Sequence, residues 1–201
     1  MGKGMKIGLG IIAFLVVITI IFVASIKNIY NNLIQLDEST NQTWSEVQSQ
    51  YQRRYDLIPN LVSTVKGYAA HEKETLEGVT EARAKLGGVT QLSAKDLTPE
   101  NLAKFQEAQA NLSGALQRLM VVTERYPELK ANQNFMNLQD ELSGTENRIT
   151  VARRRFNEAV QSYNQTIRQI PQMFIANFMG LQPKGYFEAD ATAQSAPKVE
   201  F

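Results

Sequence analysis

Residues 7–26 read IGLGIIAFLVVITIIFVASI, twenty positions without a charge, fourteen of them Ile, Leu, Val or Phe. A helix of that length rises about 30 Å, the thickness of a bilayer's hydrocarbon core. The fourteen large apolar side chains favour insertion by on the order of 4 to 8 kcal/mol, before the Gly, Thr and Ser residues are discounted. A cleaved secretory signal has a shorter apolar region, about 7–15 residues, closed by a small-x-small site. Val23-Ala24-Ser25 does not match the A-x-A pattern. Residues 1–26 are therefore expected to be an uncleaved transmembrane anchor that crosses the bilayer once. Lys3, Lys6 and the α-amino group precede the run, and only Lys27 follows it before Asp37 and Glu38. By the positive-inside rule this bias leans toward an extracytoplasmic position for the rest of the chain, by a narrow margin. Gly4 and Gly8 make a G-x-x-x-G pair, but Lys6 between them weakens it as a dimerisation signal. Lys at position 6 also removes the myristoylation pattern.

The rest of the 201-residue chain has room for one compact domain. With Lys and Arg at 21 and Asp and Glu at 20, the net charge of +1 offers no clustered basic face, so nucleic acid is not an expected partner. Cysteine is absent. That excludes disulfides, thiolate nucleophiles and sulfur-ligated zinc, without choosing a redox compartment.

Residues 27–57 contain neither Gly nor Pro, so the membrane helix is expected to continue outward without a linker. Leu33, Leu36, Thr40, Trp44, Val47 and Tyr51 keep one face apolar at spacings of three and four. Such a helix either acts as a rigid stalk holding the domain relative to the bilayer or simply abuts the anchor. Pro59, which lacks an amide hydrogen, with Asp56 as a good N-cap, is expected to interrupt it. A second helix then runs to about Leu86, with Leu61, Val62, Val65, Ala69, Leu76, Val79 and Arg83 on one side, and Gly87-Gly88 ends it. Thr98-Pro99-Glu100 reads as N-cap, proline at the first helical position and an acidic first turn. The third helix carries Leu102, Phe105, Ala108, Leu112, Ala115, Leu119 and Val122 and ends near Tyr126-Pro127. The fourth begins near Asn132 and runs to about Ile170, with a seam of Phe135, Leu138, Leu142, Thr145, Ile149, Ala152, Phe156, Ala159 and Tyr163. Strict alternation of three and four marks a shallow, coiled-coil-like packing angle. The expected fold is all-α: an N-terminal transmembrane helix continuing into an antiparallel up-and-down four-helix bundle, residues 27–181. In that topology the fourth helix returns toward the bilayer.

Past Pro171, the run Met173-Phe174-Ile175-Ala176-Asn177-Phe178-Met179-Gly180-Leu181 is dense in apolar residues but too short to span. Phe174 and Phe178 are candidates for contact with the membrane or a neighbouring subunit. The plainer expectation is that the run folds over the end of its own bundle and buries both, since it has no basic polar face of the interfacial kind.

Little in the sequence carries chemistry. His71 is the single histidine, and His71-Glu72 lacks the second histidine of H-E-x-x-H, so it reads as a solvated helix residue. Arg153-Arg154-Arg155 fans over most of a helix circumference, and surface pairing with Glu146 or Glu158 is the expected use. Phosphate loops, nucleophile elbows and paired carboxylates are missing. Trp44 is expected to anchor the core. No catalytic residue, metal ligand or cofactor is expected. Residues 182–201, with Pro183 and Pro197, are expected to form an extended or disordered tail. Its end, Val199-Glu200-Phe201, has the form read by receptors that capture C-termini at a sheet edge, the plain alternative being a frayed terminus.

The segment Arg53-Arg54-Tyr55-Asp56-Leu57-Ile58-Pro59-Asn60-Leu61-Val62, with Trp44 before it and Val65-Lys66-Gly67-Tyr68 after it, resembles the hallmark of the bacterial LemA family. Tyr126-Pro127-Glu128-Leu129-Lys130-Ala131-Asn132, Thr145-Glu146-Asn147-Arg148-Ile149, Phe156-Asn157-Glu158-Ala159-Val160, Tyr186-Phe187-Glu188-Ala189 and the terminal Val199-Glu200-Phe201 fit as well. The resemblance covers nearly the whole chain. It implies a bacterial origin, an N-terminal membrane helix and a helical domain, and it supplies no active site. It also implies a cytoplasmic domain, opposite to the charge bias, so the side of the membrane stays open. The functional expectation is a non-catalytic structural or interaction protein of the bacterial cell membrane, self-assembling as a homo-oligomeric scaffold. The alternative is a membrane-tethered adaptor or regulator that recruits a partner protein through its tail.

Overall fold

A computed structural model describes residues 3–87 and 92–188, with side chains from residue 9 onward. Every regular element in it is a helix: α1 Lys3–Tyr68, α2 Lys73–Leu86, α3 Pro99–Thr123, α4 Pro127–Lys130, α5 Gln133–Thr166 and α6 Gln172–Phe178. By their contacts the residues divide into two units, one of residues up to 39 with 161–183, the other of residues 40–160 with those from 184 onward.

In the first unit, α1 is apolar all round over the anchor stretch, and Leu9, Phe14 and Phe22 are exposed along with their neighbours. A helix with no polar face needs apolar surroundings on every side. From Leu9 onward α1 is long and apolar enough to cross a membrane, with a mean hydropathy of 3.0 in its most apolar window. Its few hydroxyls are satisfied internally: Thr19 donates to the Leu15 carbonyl at 2.8 Å and Ser25 to the Ile21 carbonyl at 2.9 Å. Beyond residue 26 the helix continues unbroken, as the absence of Gly and Pro predicts. There Leu33 is buried with Tyr163, Ile167 and Ala176, and Ile29, Leu36, Ile175, Met179 and Leu181 pack around them. Gly180 closes α6 at a φ of 71°, with the Leu181 amide donating to the Ala176 carbonyl, a left-handed cap that glycine adopts without strain.

In the second unit, α1, α2, α3 and α5 alternate in direction. Trp44 meets Phe156 and Arg54 meets Glu146, so α1 and α5 are antiparallel. Arg83 of α2 reaches back to Tyr55, while Phe105 and Gln109 of α3 follow Trp44 and Arg54 in order along α1. Two apolar clusters fill the interior. One lies around Ile58, Leu61, Val65, Leu119 and Phe135, the other around Trp44, Phe105, Ile149 and Phe156. The expected seams of α3 and α5 face the interior, with Gln109 buried rather than Ala108 and Val160 rather than Ala159. Thr98 caps α3 by accepting from the Asn101 amide at 3.3 Å, with Pro99 at the first helical position. Asn132 Oδ1 likewise accepts from the Phe135 amide at 3.1 Å and starts α5.

Pro59 does not end a helix. α1 runs through it to Tyr68, and the chain turns at residues 69–72 instead. Proline at this position removes the donor that would bond to the carbonyl four residues back. That carbonyl belongs to Tyr55, and Arg83 Nε donates to it at 3.3 Å from α2. The buried positions also continue in step, Tyr51, Arg54, Ile58, Leu61 and Val65 at spacings of three and four, so core packing holds the helix on both sides of the proline. The fourth helix ends at Thr166, before the Ile170 expected, and the single turn α4 was not foreseen.

Candidate functional site

Arg54 occupies a core position of α1 and is 2 % exposed. A buried guanidinium is tolerated when its charge is paired and most of its N–H groups are met. Its Nη1 donates to Glu146 Oε2 of α5 at 2.9 Å and to Ser113 Oγ of α3 at 3.0 Å, and its Nη2 donates to Gln109 Oε1. The Tyr51 ring lies 5.1 Å away beneath the guanidinium carbon. Nε is buried without a partner. Arg153, Gln106 and Gln117 join these residues around a cavity of about 400 Å³. Both terminal nitrogens of Arg54 are engaged within the protein, so the fork that would grip a carboxylate or phosphate is already used. The network ties three helices together through one charge.

Next to it, residues 185–188 are strapped into the bundle. Phe187 is buried against Trp44 at 6.2 Å, Phe105 at 6.3 Å and Phe156 at 5.5 Å between ring centres. The Phe187 amide donates to Asn157 Oδ1, and Asn157 Nδ2 donates to the Phe187 carbonyl, like one rung of a sheet. Gln106 makes the same pair of bonds with Glu188. The Gly185 amide donates to the Leu97 carbonyl at 2.8 Å, and a Cβ on Gly185 would sit 2.8 Å from Pro99 Cα. Only glycine permits that approach. The strap explains why Trp44, itself donating to the Leu92 carbonyl at 3.1 Å, is sealed off.

On another face of the same unit, α1 and α5 flank an open groove of about 770 Å³. Gln42, Ser45, Glu46 and Ser49 line it from α1, and Arg148, Val151, Ala152 and Arg155 from α5. The side chains at Ser45, Ser49 and Ala152 are small. Gln50 Oε1, at the groove, is buried without a donor.

The residues singled out in the sequence fall as follows. His71 is exposed, in the turn between α1 and α2 rather than on a helix. The three arginines diverge as expected: Arg153 donates to the Glu188 carbonyl and covers Phe187, Arg154 reaches Glu158 at 3.9 Å, and Arg155 reaches Glu46 at 3.6 Å. Glu146, expected among their partners, belongs to Arg54 instead. Phe174 and Phe178 are 63 % and 91 % exposed, which overturns the expectation that α6 buries them; Ala176 makes the inward contact. Val199, Glu200 and Phe201 lie outside the described residues. Among the described residues no group of three or more His, Asp or Glu is placed to hold a metal ion. Arg54 and Phe187 were missed as site residues. The seam of α1 carried past Tyr51 would have landed on Arg54, whereas no periodicity marks Phe187.

These features define a class: an all-helical protein whose first helix carries a candidate membrane span and whose residues 185–188 are strapped into an α-helical bundle. The chain belongs to the LemA family, whose family model matches residues 43–201. It is 26 % identical over 204 residues to magnetosome protein MamQ 2 of Paramagnetospirillum magneticum, covering 94 % of this chain and 74 % of that protein. MamQ of Magnetospirillum gryphiswaldense is 25 % identical, with 90 % and 74 % covered. Protein LemA of Metamycoplasma hominis is 24 % identical over 159 residues, 79 % of this chain and 68 % of that one.

Proposed function

We propose that this chain is a membrane-anchored, non-catalytic interaction protein that assembles laterally with copies of itself. The observation that supports the reading is the α1–α5 groove. It is lined by small and polar side chains, and its charges are of both signs, Glu46 and Arg155 paired across it at 3.6 Å and Arg148 beside them. Such a surface can be self-complementary about a two-fold axis along the membrane normal, which sets α1 of one copy against α5 of the other. The apolar stretch of α1 would hold the copies in one plane of lipid and raise their effective concentration. The names of the relatives supply a magnetosome and no reaction.

The absence of cysteine makes the test direct, because each introduced thiol is the only one. Ser49→Cys lies in the groove, and Val121→Cys sits exposed on α3 away from it. In native membranes a thiol crosslinker is expected to convert S49C, and not V121C, into a species of twice the mass. Equal, low crosslinking at both positions would refute the assembly. Adducts of another mass that vanish when residues 189–201 are removed would favour recruitment of a partner by the tail instead.

A further inference from the structure

The exposed phenylalanines of α6 are not scattered surface residues. Phe174 and Phe178 are one helical turn apart on one face, and Ile170, just before α6, is 74 % exposed. The opposite side of α6 is committed: Ala176 is buried, and Ile175 and Met179 pack in the cluster with Leu33 and Ile29 of α1. Those two α1 residues lie three and seven positions beyond residue 26, about 5 and 10 Å along the helix from the end of the apolar run. A headgroup layer is about 5–8 Å deep on each side of the hydrocarbon. α6 is therefore docked on the part of α1 that runs from the headgroup layer at Ile29 to its outer edge at Leu33. On α1 itself, exposed Tyr30 and Ile34 extend the apolar surface outward from the span. Lys27 and Arg168, both exposed in the same unit, supply cations at that level.

From this we propose that Ile170, Phe174 and Phe178 form a collar embedded in the lipid interface, so that the first unit contacts the bilayer through α6 as well as through α1. The partner is the lipid surface itself. Proximity to the span argues for lipid over a second copy, since α6 packs on Ile29 and Leu33, directly beyond the apolar run, and exposes Phe174 and Phe178 on its other side. Phenylalanines on the apolar face of an interfacial helix settle at the boundary of headgroups and acyl chains, where neighbouring cations meet phosphate. A lone exposed apolar residue such as Val121 on α3 has no such neighbours and needs no partner. The inference rests on the membrane anchorage proposed above, and the experiment separates the two.

The full-length chain is reconstituted into vesicles of phosphatidylcholine with a minority of phosphatidylglycerol. Nitroxide labels are placed singly at Ile12, Phe174, Phe178 and Val121, each through an introduced cysteine. Collision with oxygen, which concentrates in lipid, is compared with collision with a water-soluble nickel chelate. Labels at Ile12, Phe174 and Phe178 are expected to meet oxygen more often than the chelate, and the label at Val121 the reverse. If Ile12 reads as lipid while Phe174 and Phe178 read like Val121, the collar is refuted and the anchor stands. If Phe174 and Phe178 are shielded from both reagents and their spectra broaden by spin–spin coupling, a second copy covers α6 and the lipid collar is again refuted. If Ile12 itself reads as water, the anchor fails and the collar with it.

Discussion

Arg83 Nε donates to the carbonyl of Tyr55 at 3.3 Å, and its guanidinium lies over the Tyr55 ring at 3.8 Å. The Tyr55 carbonyl is the acceptor that Pro59, four residues on, leaves without its helical donor. One side chain of α2 thus repairs the backbone of α1 at its proline and fastens the two helices to each other. Arg83→Met should leave that carbonyl unpaired and cost about 1–3 kcal/mol. Pro59→Ala restores an amide at the right place, so it should rescue Arg83→Met by about 0.5–1.5 kcal/mol more than it stabilises the parent. Denaturant unfolding of the four proteins in the cycle measures this coupling. Strict additivity would mean that Arg83 acts only through packing on the ring.

Arg54 should be the most sensitive polar residue of the bundle. Arg54→Met abandons Glu146, Ser113 and Gln109 together and is expected to cost on the order of 3 kcal/mol. Glu146 is half exposed, so water compensates part of the loss in Glu146→Gln, for which about 1–2 kcal/mol is expected. Arg54→Lys should behave nearly as badly as Met, because a lysine cannot reach three acceptors in the plane of a fork. Thermal unfolding in detergent ranks the three variants, and a benign Lys variant would contradict the geometric account.

Trp44 is the single tryptophan and reports on the strap. Gly185→Ala places a Cβ against the Pro99 backbone, which cannot swing aside as a side chain could. The strap should lift, Phe187 should leave Trp44, and the emission maximum should move to the red. Phe187→Ala removes the ring without disturbing the backbone and should cost about 3 kcal/mol. An unshifted emission in Gly185→Ala would show that Phe187 stays seated without the close approach at residue 185.

Burial, with a smaller contribution from the charge of Asp37, raises the pKa of the Tyr163 hydroxyl from 10 to about 12. The folded state therefore holds this proton more tightly than the unfolded state. Stability from the neutral phenol is fully present below pH 10 and is lost as the pH rises toward 12. The same hydroxyl donates to the Gln182 carbonyl at 3.1 Å, a bond its ionisation would break. Melting temperature should fall more steeply from pH 10 to 12 in the parent than in Tyr163→Phe. Parallel slopes would exclude Tyr163 as the group responsible.

Much of this architecture is legible along the chain because helices and long apolar runs are written in local order. Twenty uncharged residues admit one economical solution, and the three-and-four spacing of Trp44, Val47 and Tyr51, or of Ile149, Ala152 and Phe156, names the inner face before any partner is known. Thr98 and Pro99 start α3 by bonds that reach no further than the next turn. Pro59 misled because its effect is local only when nothing distant answers it, and the answer, Arg83, lies on another helix. Phe174 and Phe178 misled for a related reason. Composition shows that a segment is apolar, but which of its faces finds the bundle depends on how α6 docks, and Ala176 took the inner place.

By itself, then, the sequence determined a helical chain with an apolar leading segment and the buried stripes of its long helices, since periodicity and side-chain type act within a few residues. Tertiary structure alone decided that Arg54 would be neutralised by Glu146, that Phe187 would return to close over Trp44, and that α1 would survive its proline. Each of those outcomes joins groups far apart in the chain. Their energies depend on desolvation and distance in the folded state, quantities that no local pattern encodes.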